Sequence, residues 1–529
     1  MKQIYFLISI FFFIISCKTV EHKVSSLYKP SRSLPTDEPA AMFSWEYERV
    51  KNPITGDASK QHLVDIYNQI QEANKYGSRA AVPDVIWKER GPNNIGGRTR
   101  TIIFDLKDTT KKRVFAASVG GGLFRCDNID STIPTWNKIN DFFSNLAVTT
   151  IAQNPTFPDT IYFGTGEGFL NADAIGGAGV WRTADNGQTW VQLPSIMNGS
   201  VPFRINRMAV TKKGVVYAAT NLGLYKSING GNTWITELRT TGTAPTVASN
   251  TGFDVKVAQN DDVYYACSTQ VWRYSNVAKT WTNVSPPGSF ARIEIGCAPS
   301  DSNFVYLLCQ GNSGSAAVTG FFSSNSRGGT WRSRAIPLVY DQAATATTEL
   351  SRGQAWYDLC IAVDPLTPTT VYAGGIEYIK SIDTGATYKQ ITAWSLFAIP
   401  GASNITSNQA MHSDHHALVF KPGSNSFALF GGDGGIYRSL NMQLVWPSLP
   451  TYKAINNNYN VTQFYSCAIA NVQASNNMLG GAQDNGSLKY NAPSVNAVVE
   501  VTGGDGCYTF IDQNNSNNQI TSYVRNNYF

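Results

Sequence analysis

The sequence is short of charge. Asp, Glu, Lys and Arg make up only 15% of its 529 residues, and a net charge of +5 is too dilute to mark a nucleic-acid or acidic-membrane surface. Histidine is scarcer still: there are five, three of them between His412 and His416. No pair of the eight cysteines has the CxxC spacing of a redox or zinc site. No phosphate loop, nucleophile elbow or zinc-protease helix is present. The apolar run from Ile4 to Ile15 is too short to span a bilayer. What the chain does have is 45 Gly, 12 Trp, 25 Tyr and 26 Phe, a turn-rich and aromatic-rich β composition. Its length suits several domains or one large all-β array.

One stretch recurs. Val180 to Trp190 reads as a strand, a tight turn held by Asp185 and Gly187, and a return strand opened by Thr189 and Trp190. An Asp carboxylate caps nearby backbone N–H groups, Gly accepts positive φ, and a large ring can cover the turn. Leu224 to Trp234 repeats it with Asn229, Gly231 and Trp234, and Lys380 to Tyr388 with Asp383, Gly385 and Tyr388. Ser324 to Trp331 and Tyr274 to Trp281 are looser copies, while Cys126 to Trp136 and Ser439 to Trp446 are worn ones. The closing aromatics recur about every 45–58 residues, a period that signals a propeller or solenoid. Each unit reads strand, turn, strand, turn, strand, recurring turn, strand, with second strands such as Val263–Cys267, Val305–Cys309 and Val371–Gly374.

This pattern, S/T-x-D-x-G-x-T-W, resembles the Asp-box (bacterial neuraminidase) repeat of sialidase, sortilin-type and xyloglucanase propellers, and the resemblance covers about Trp87 to Phe529. It implies an all-β fold: a seven-bladed β-propeller of four-stranded antiparallel blades over 87–450, with 451–529 as the start of a second, incomplete propeller or as extra blades. The box positions carry turn and packing roles, so the resemblance specifies fold more than function.

Ahead of the repeats, 1–16 reads as a secretory signal. Cys17 directly follows Ile14-Ile15-Ser16, which resembles a relaxed bacterial lipobox and makes Cys17 the expected lipidated residue. That places the chain on the outer membrane or cell surface; a secreted or periplasmic product is the alternative. Polar 17–57 is a flexible tether, and 58–86 carries a short helix over 59–76, with Leu63, Ile66, Tyr67, Ile70 and Ala73 on one stripe. Of the later cysteines, Cys267 and Cys309 fall at equivalent second-strand places and read as buried thiols, while pairing of Cys297 with Cys309 across one hairpin stays open.

Chemistry concentrates late in the chain. If 413–420 is an innermost strand, alternation puts His412, Asp414 and His416 on one face and His415 on the other. Such a face can bind a divalent metal or do acid–base work; the plainer reading is a hydrogen-bonded polar plug at the channel mouth. No cofactor is otherwise called for. Glycine-rich acidic loops place Glu167, Asp433 and Asp484 after second strands, toward one rim, as candidates for the carboxyl pair of glycoside hydrolysis, which needs a separation of about 5–10 Å. Gln483 and Arg98 are candidate binding residues beside them. Phe203-Arg204-Ile205-Asn206 echoes a sialidase string but lacks its proline and follows two boxes, which argues against a sialidase. Two functions follow: a surface module binding a glycan or protein ligand on its rim, or, as the alternative, a glycoside hydrolase using rim carboxyls.

Overall fold

The computed structural model describes residues 88–529, apart from 170–173, 195–203, 240–250, 313–315, 341–345, 395–406, 445–447, 473–474 and 525–526, and a few positions before 88. The signal segment, Cys17, Trp87, Phe203 and Trp446 lie outside the described residues, as does the expected helix over 59–76 apart from exposed Asp65, Gln69 and Glu72.

The described chain is a succession of antiparallel sheets. The first consists of Thr99–Phe104, Val114–Ser118, Gly122–Cys126 and Trp136–Lys138 in sequence order. Seven more four-stranded sheets follow in the same order, and a three-stranded sheet, Thr509–Ile511, Gln519–Tyr523 and Asn527–Tyr528, comes last. The expected second strands Val263–Cys267 and Val371–Gly374 are found with those bounds. First strands form a closed cycle: Thr99–Phe104 touches Val148–Gln153, and contact passes through Ile205–Val210, Gly252–Val257, Phe290–Cys297, Cys360–Val363 and His415–Phe420 back to Thr99–Phe104. This is a β-propeller.

Each of the seven sheets in the cycle is packed between two neighbours, so its second strand is apolar almost throughout, whereas the first and last strands of the eighth sheet are largely exposed. Val114–Ser118, Ile161–Thr165, Val216–Thr220 and Val263–Cys267 are all buried at every position. A separate core fills each gap between neighbouring sheets of the cycle. The gap between the seventh sheet and the first is filled by Phe124, Trp136, Ile436, Ile455 and Tyr459 among others. Among the described residues no strand is shared across that seam; instead Trp136 donates its backbone N–H to Asn457 O at 3.0 Å and its indole N–H to Ile455 O at 2.7 Å.

The recurring turns are built as their chemistry requires. Asp185 accepts the backbone N–H groups of Gln188 and Thr189 and the Thr189 hydroxyl, while Thr183 Oγ1 accepts from Gly187 N at 2.9 Å. Asn186 and Gly187 both have positive φ, 57° and 87°. These turns also knit sheets together. Gly231, at φ 87°, lies so close to the preceding sheet that an added Cβ would sit 2.3 Å from Leu193 Cδ1. Trp331 donates its indole N–H to Val284 O, again in the preceding sheet.

Three details depart from expectation. The seventh sheet closes on Lys453–Ala454, beyond residue 450, because its turn carries a longer insertion than its siblings. There Thr451 N donates to Asn441 Oδ1 as Thr189 N donates to Asp185, so Thr451 and Tyr452, not Trp446, take the Thr–aromatic place. Cys309 lies opposite Ile293 and Cys297 opposite Val305, so these two do not meet; both are free, and Cys267 and Cys309 are buried as expected. An unanticipated insertion between the fifth and sixth sheets forms the hairpin Leu338–Val339 with Thr348–Glu349 and leads into Trp356-Tyr357-Asp358.

Candidate functional site at the mouth of the ring

Several first strands begin with a bulge. Register slips by one residue between Thr99 and Thr101 and between His415 and Ala417, leaving Arg100 and His416 without a partner across the sheet. A bulged residue is re-aimed relative to the strand's alternation. The two meet: Arg100 Nη1 donates to His416 Nδ1 at 2.8 Å, and His416 Nε2 donates in turn to Asp433 Oδ1 at 2.8 Å. Burial, and then the positive charge of Arg100, lowers the His416 pKa to about 4, consistent with a neutral imidazole passing one hydrogen bond along.

Around this pair is a closed polar plug. Glu167, fully buried, accepts from Arg100 Nη2 at 2.9 Å and Arg98 Nη1 at 3.3 Å, and Arg98 Nη2 donates to Gln463 Oε1 at 2.9 Å. The Arg100 guanidinium lies 4.4 Å from the centre of the Tyr357 ring, whose hydroxyl donates to Asp433 Oδ2 at 2.8 Å. Arg292 bonds Glu294 at 2.7 Å and three carbonyls, those of Trp356, Tyr357 and Leu359, each at 2.9 Å. It thereby fixes the inserted segment that carries Tyr357 and Asp358. Behind the plug, the first strands enclose a cavity of ≈ 210 Å³ bordered by Arg207, Lys256, Glu294 and Cys360.

In front of the plug, carboxyls converge from three segments. Asp414 and Asp484 both have left-handed backbone, with φ 62° and 58°. One side-chain oxygen from each of Asp414, Asp433 and Asp484 lies within 4.8 Å of the other two. Their environments pull them apart. Burial opposes ionisation of Asp433, but His416, Arg100 and Arg98 outweigh it and hold this carboxyl well below the usual range. Burial and the nearby Asp433 charge raise Asp414 to about 6, and burial with Asp433 and Asp505 pushes Asp484 well up. Asp358, fully buried, is pushed up by burial and then by Asp414.

The eighth sheet, Phe464–Ile469 to Val498–Thr502, completes this face. Its 483–486 turn docks on the seventh sheet: His412 Nε2 lies 2.8 Å from Asp484 O, and Asn485 Nδ2 donates to Asp433 O at 3.1 Å. Asp505 Oδ1 accepts the Asp484 N–H at 3.0 Å.

Of the residues expected from sequence, Asp433 and Asp484 do come together, but Glu167 is sequestered with two arginines. Arg98 belongs to the plug, and Gln483, half-buried, donates its backbone N–H to Gln463 O. The expected shared face of His412, Asp414 and His416 does not form. The strand starts only at His415, Asp414 is left-handed, and the bulge at His416 breaks alternation. His415 instead lies against the Tyr378 ring, centroids 4.5 Å apart, with burial and then the neighbouring histidines lowering its pKa to about 3. Among the described residues, the group whose donor atoms could converge on a metal is the three aspartates, without histidine. Asn206, from the sialidase-like string, is a buried strand residue donating to Gly252 O. Sequence reasoning missed Arg100, Tyr357, Asp358, Gln463 and Asp505. Only Arg100, in the same position of its first strand as His416, carried a signal that aligning the strands would reveal.

No protein-family model matches the chain. Among curated proteins, xyloglucanase Xgh74A of Acetivibrio thermocellus is 30% identical over 149 residues, covering 26% of this chain and 17% of that protein. A xyloglucanase of Paenibacillus sp is 28% identical over 180 residues, covering 30% of this chain and 17% of that protein. Among solved structures, the GH74 xyloglucanase of Xanthomonas campestris superposes with a TM-score of 0.58 at 18% identity, over 82% of this chain and 65% of that one. The chain therefore matches only 17% of the length of these curated relatives, and what the likeness establishes is a β-propeller built like that of a xyloglucanase.

Proposed function

We propose that this chain acts on a glycan at the mouth of its ring, as a glycoside hydrolase. The observation that carries the proposal is the convergence of Asp414, Asp433 and Asp484 within 4.8 Å, from stretches distant in sequence. Glycosidic cleavage with a pair of carboxyls works at about 5–5.5 Å in retaining enzymes and farther apart in inverting ones; the convergence here lies at the short, retaining end, and the local similarity to two xyloglucanases points to a polysaccharide substrate. The partly exposed carboxyls Asp414 and Asp484 are the reacting candidates; Glu167 and Asp433, buried in the plug, position them. The closed cycle of seven first strands supports a seven-bladed ring, the turn geometry supports an Asp-box, and the sheets after residue 460 are read as the beginning of a second propeller. The surface location belongs to the same proposal and rests on 1–17 alone; loss of fatty-acid labelling in Cys17→Ser is its check.

A second reading, a non-catalytic glycan or protein receptor module, is favoured by the full engagement of Glu167 and Asp433 in the plug. A polysaccharide panel including xyloglucan and mixed β-glucans separates the two. Release of new reducing ends supports the hydrolase. Retardation in glycan-loaded gels without cleavage supports the module, and neither result overturns the glycan assignment.

A further inference from the structure

We infer that a monatomic anion of the chloride class sits behind the plug, held by Arg100, Arg207 and Arg292. The three arginines come from the first strands of the first, third and fifth sheets. Together with His416, Phe169 and two other uncharged side chains they border a void of ≈ 10 Å³, room for about one water-sized sphere. Among the described residues no carboxylate borders it. Arg100, Arg207 and His416 also border the larger cavity of ≈ 210 Å³, so the two spaces adjoin.

Unmatched donors are a second observation. Arg100 is 2% exposed, and its Nε–H has no hydrogen-bond acceptor. The buried Nε–H of Arg207 has none either, with Asp254 Oδ1 standing 3.5 Å away. Buried donors are ordinarily matched. Positive charge is in excess as well. Among the described residues, Arg207, Lys256 and Arg292 share two carboxylates, Asp254 and Glu294. Arg98 and Arg100 share Glu167, and it is His416 that stands between Arg100 and the Asp433 carboxylate. The Phe169 ring, 5.5 Å from the Arg100 guanidinium and 4.4 Å from that of Arg292, supplies a quadrupole and not a counter-charge.

Size and donor set select the ligand. One water-sized sphere excludes phosphate, sulfate and a sugar carboxylate. Guanidinium groups only donate, so an ion that only accepts suits the void better than a water, which must also place its own protons. The anion ties three first strands of the ring together. Through Arg292, which bonds the Trp356 and Tyr357 carbonyls, it also steadies the inserted segment. The inference goes beyond the hydrolase proposal and stands without it.

The test is thermal melting of the full chain in sodium gluconate, with chloride exchanged in at constant ionic strength. The expected result is a melting temperature that rises by about 2 °C and then saturates, as binding to the folded state alone requires. Arg207→Met, which removes one guanidinium outside the plug, is expected to lose that rise. Crystals grown in sodium bromide give an independent reading on the wild type: an anomalous peak between the three guanidiniums. A melting temperature indifferent to chloride overturns the inference, as does a rise retained in Arg207→Met. Density without anomalous signal marks a water and overturns it too. Should the variant fail to fold, the bromide crystal decides. None of these readings involves glycan cleavage, so this failure and that of the hydrolase proposal are distinguishable.

Discussion

The seam between the first and seventh sheets is where the ring is most exposed to a single substitution. Among the described residues no strand crosses it, so closure depends on side-chain packing and a few hydrogen bonds centred on Trp136, which is 1% exposed. Its indole lies 5.3 Å from the Tyr459 ring and bonds the Ile455 carbonyl. Trp136→Ala removes that volume, at a cost of about 3–5 kcal/mol for a large buried aromatic. It also leaves the Ile455 carbonyl without its donor, which adds roughly 1 kcal/mol or more. Trp136→Phe keeps much of the packing and isolates the second contribution, about 1–2 kcal/mol. Trp190→Ala is the control: its ring is only half-buried and its indole bonds its own turn at 3.3 Å, so about 1–2 kcal/mol is expected. Urea unfolding followed by far-ultraviolet circular dichroism ranks the three, and limited proteolysis reports whether opening begins at the seam. The reasoning is refuted if Trp136→Ala costs no more than Trp190→Ala, because closure would then not depend on this residue.

Two further predictions concern the turns. Gly231→Ala meets both a left-handed φ of 87° and Leu193 Cδ1 at 2.3 Å, so a loss of about 1–3 kcal/mol is expected by urea melting, and a neutral result would contradict the close packing of turn on sheet. The Asp185 carboxyl is lowered to about 2 by the Thr183 and Thr189 hydroxyls and by backbone N–H groups. A folded pKa below the unfolded value of about 3.9 means stability that is fully present above about pH 4 and lost as pH falls toward 2. Asp185→Asn, the residue type that the third sheet already uses at Asn229, should therefore flatten the melting-temperature profile between pH 4 and 2; an unchanged acid slope would exclude this carboxyl as its source.

Turn chemistry made much of the fold legible in the sequence. Asp185 with Gly187, or Asp383 with Gly385, dictates its own hydrogen bonds within a few residues, and the repeat of these positions marks a succession of four-stranded sheets before any contact is known. The failures lie where local pattern and tertiary pairing part company. An insertion moved the seventh closing aromatic to Tyr452. The bulges at Arg100 and His416 are register events, invisible to alternation, and they turn both side chains into the mouth. Tyr357 and Asp358 ride on an insertion with no repeat signature, and Asp505 comes from a later sheet. The acidic loops of Asp433 and Asp484 were conspicuous by composition, but that they meet while Glu167 is sequestered depends on long-range packing.

The most direct trial of the account is reducing-end release from xyloglucan by the wild type and by Asp484→Asn under identical conditions. The account predicts cleavage by the wild type and a fall of at least about a hundredfold in kcat for the variant, the scale of losing a positioned acid–base group. Equal rates in the two proteins would contradict it, and so would a folded wild type that cleaves no glycan at all.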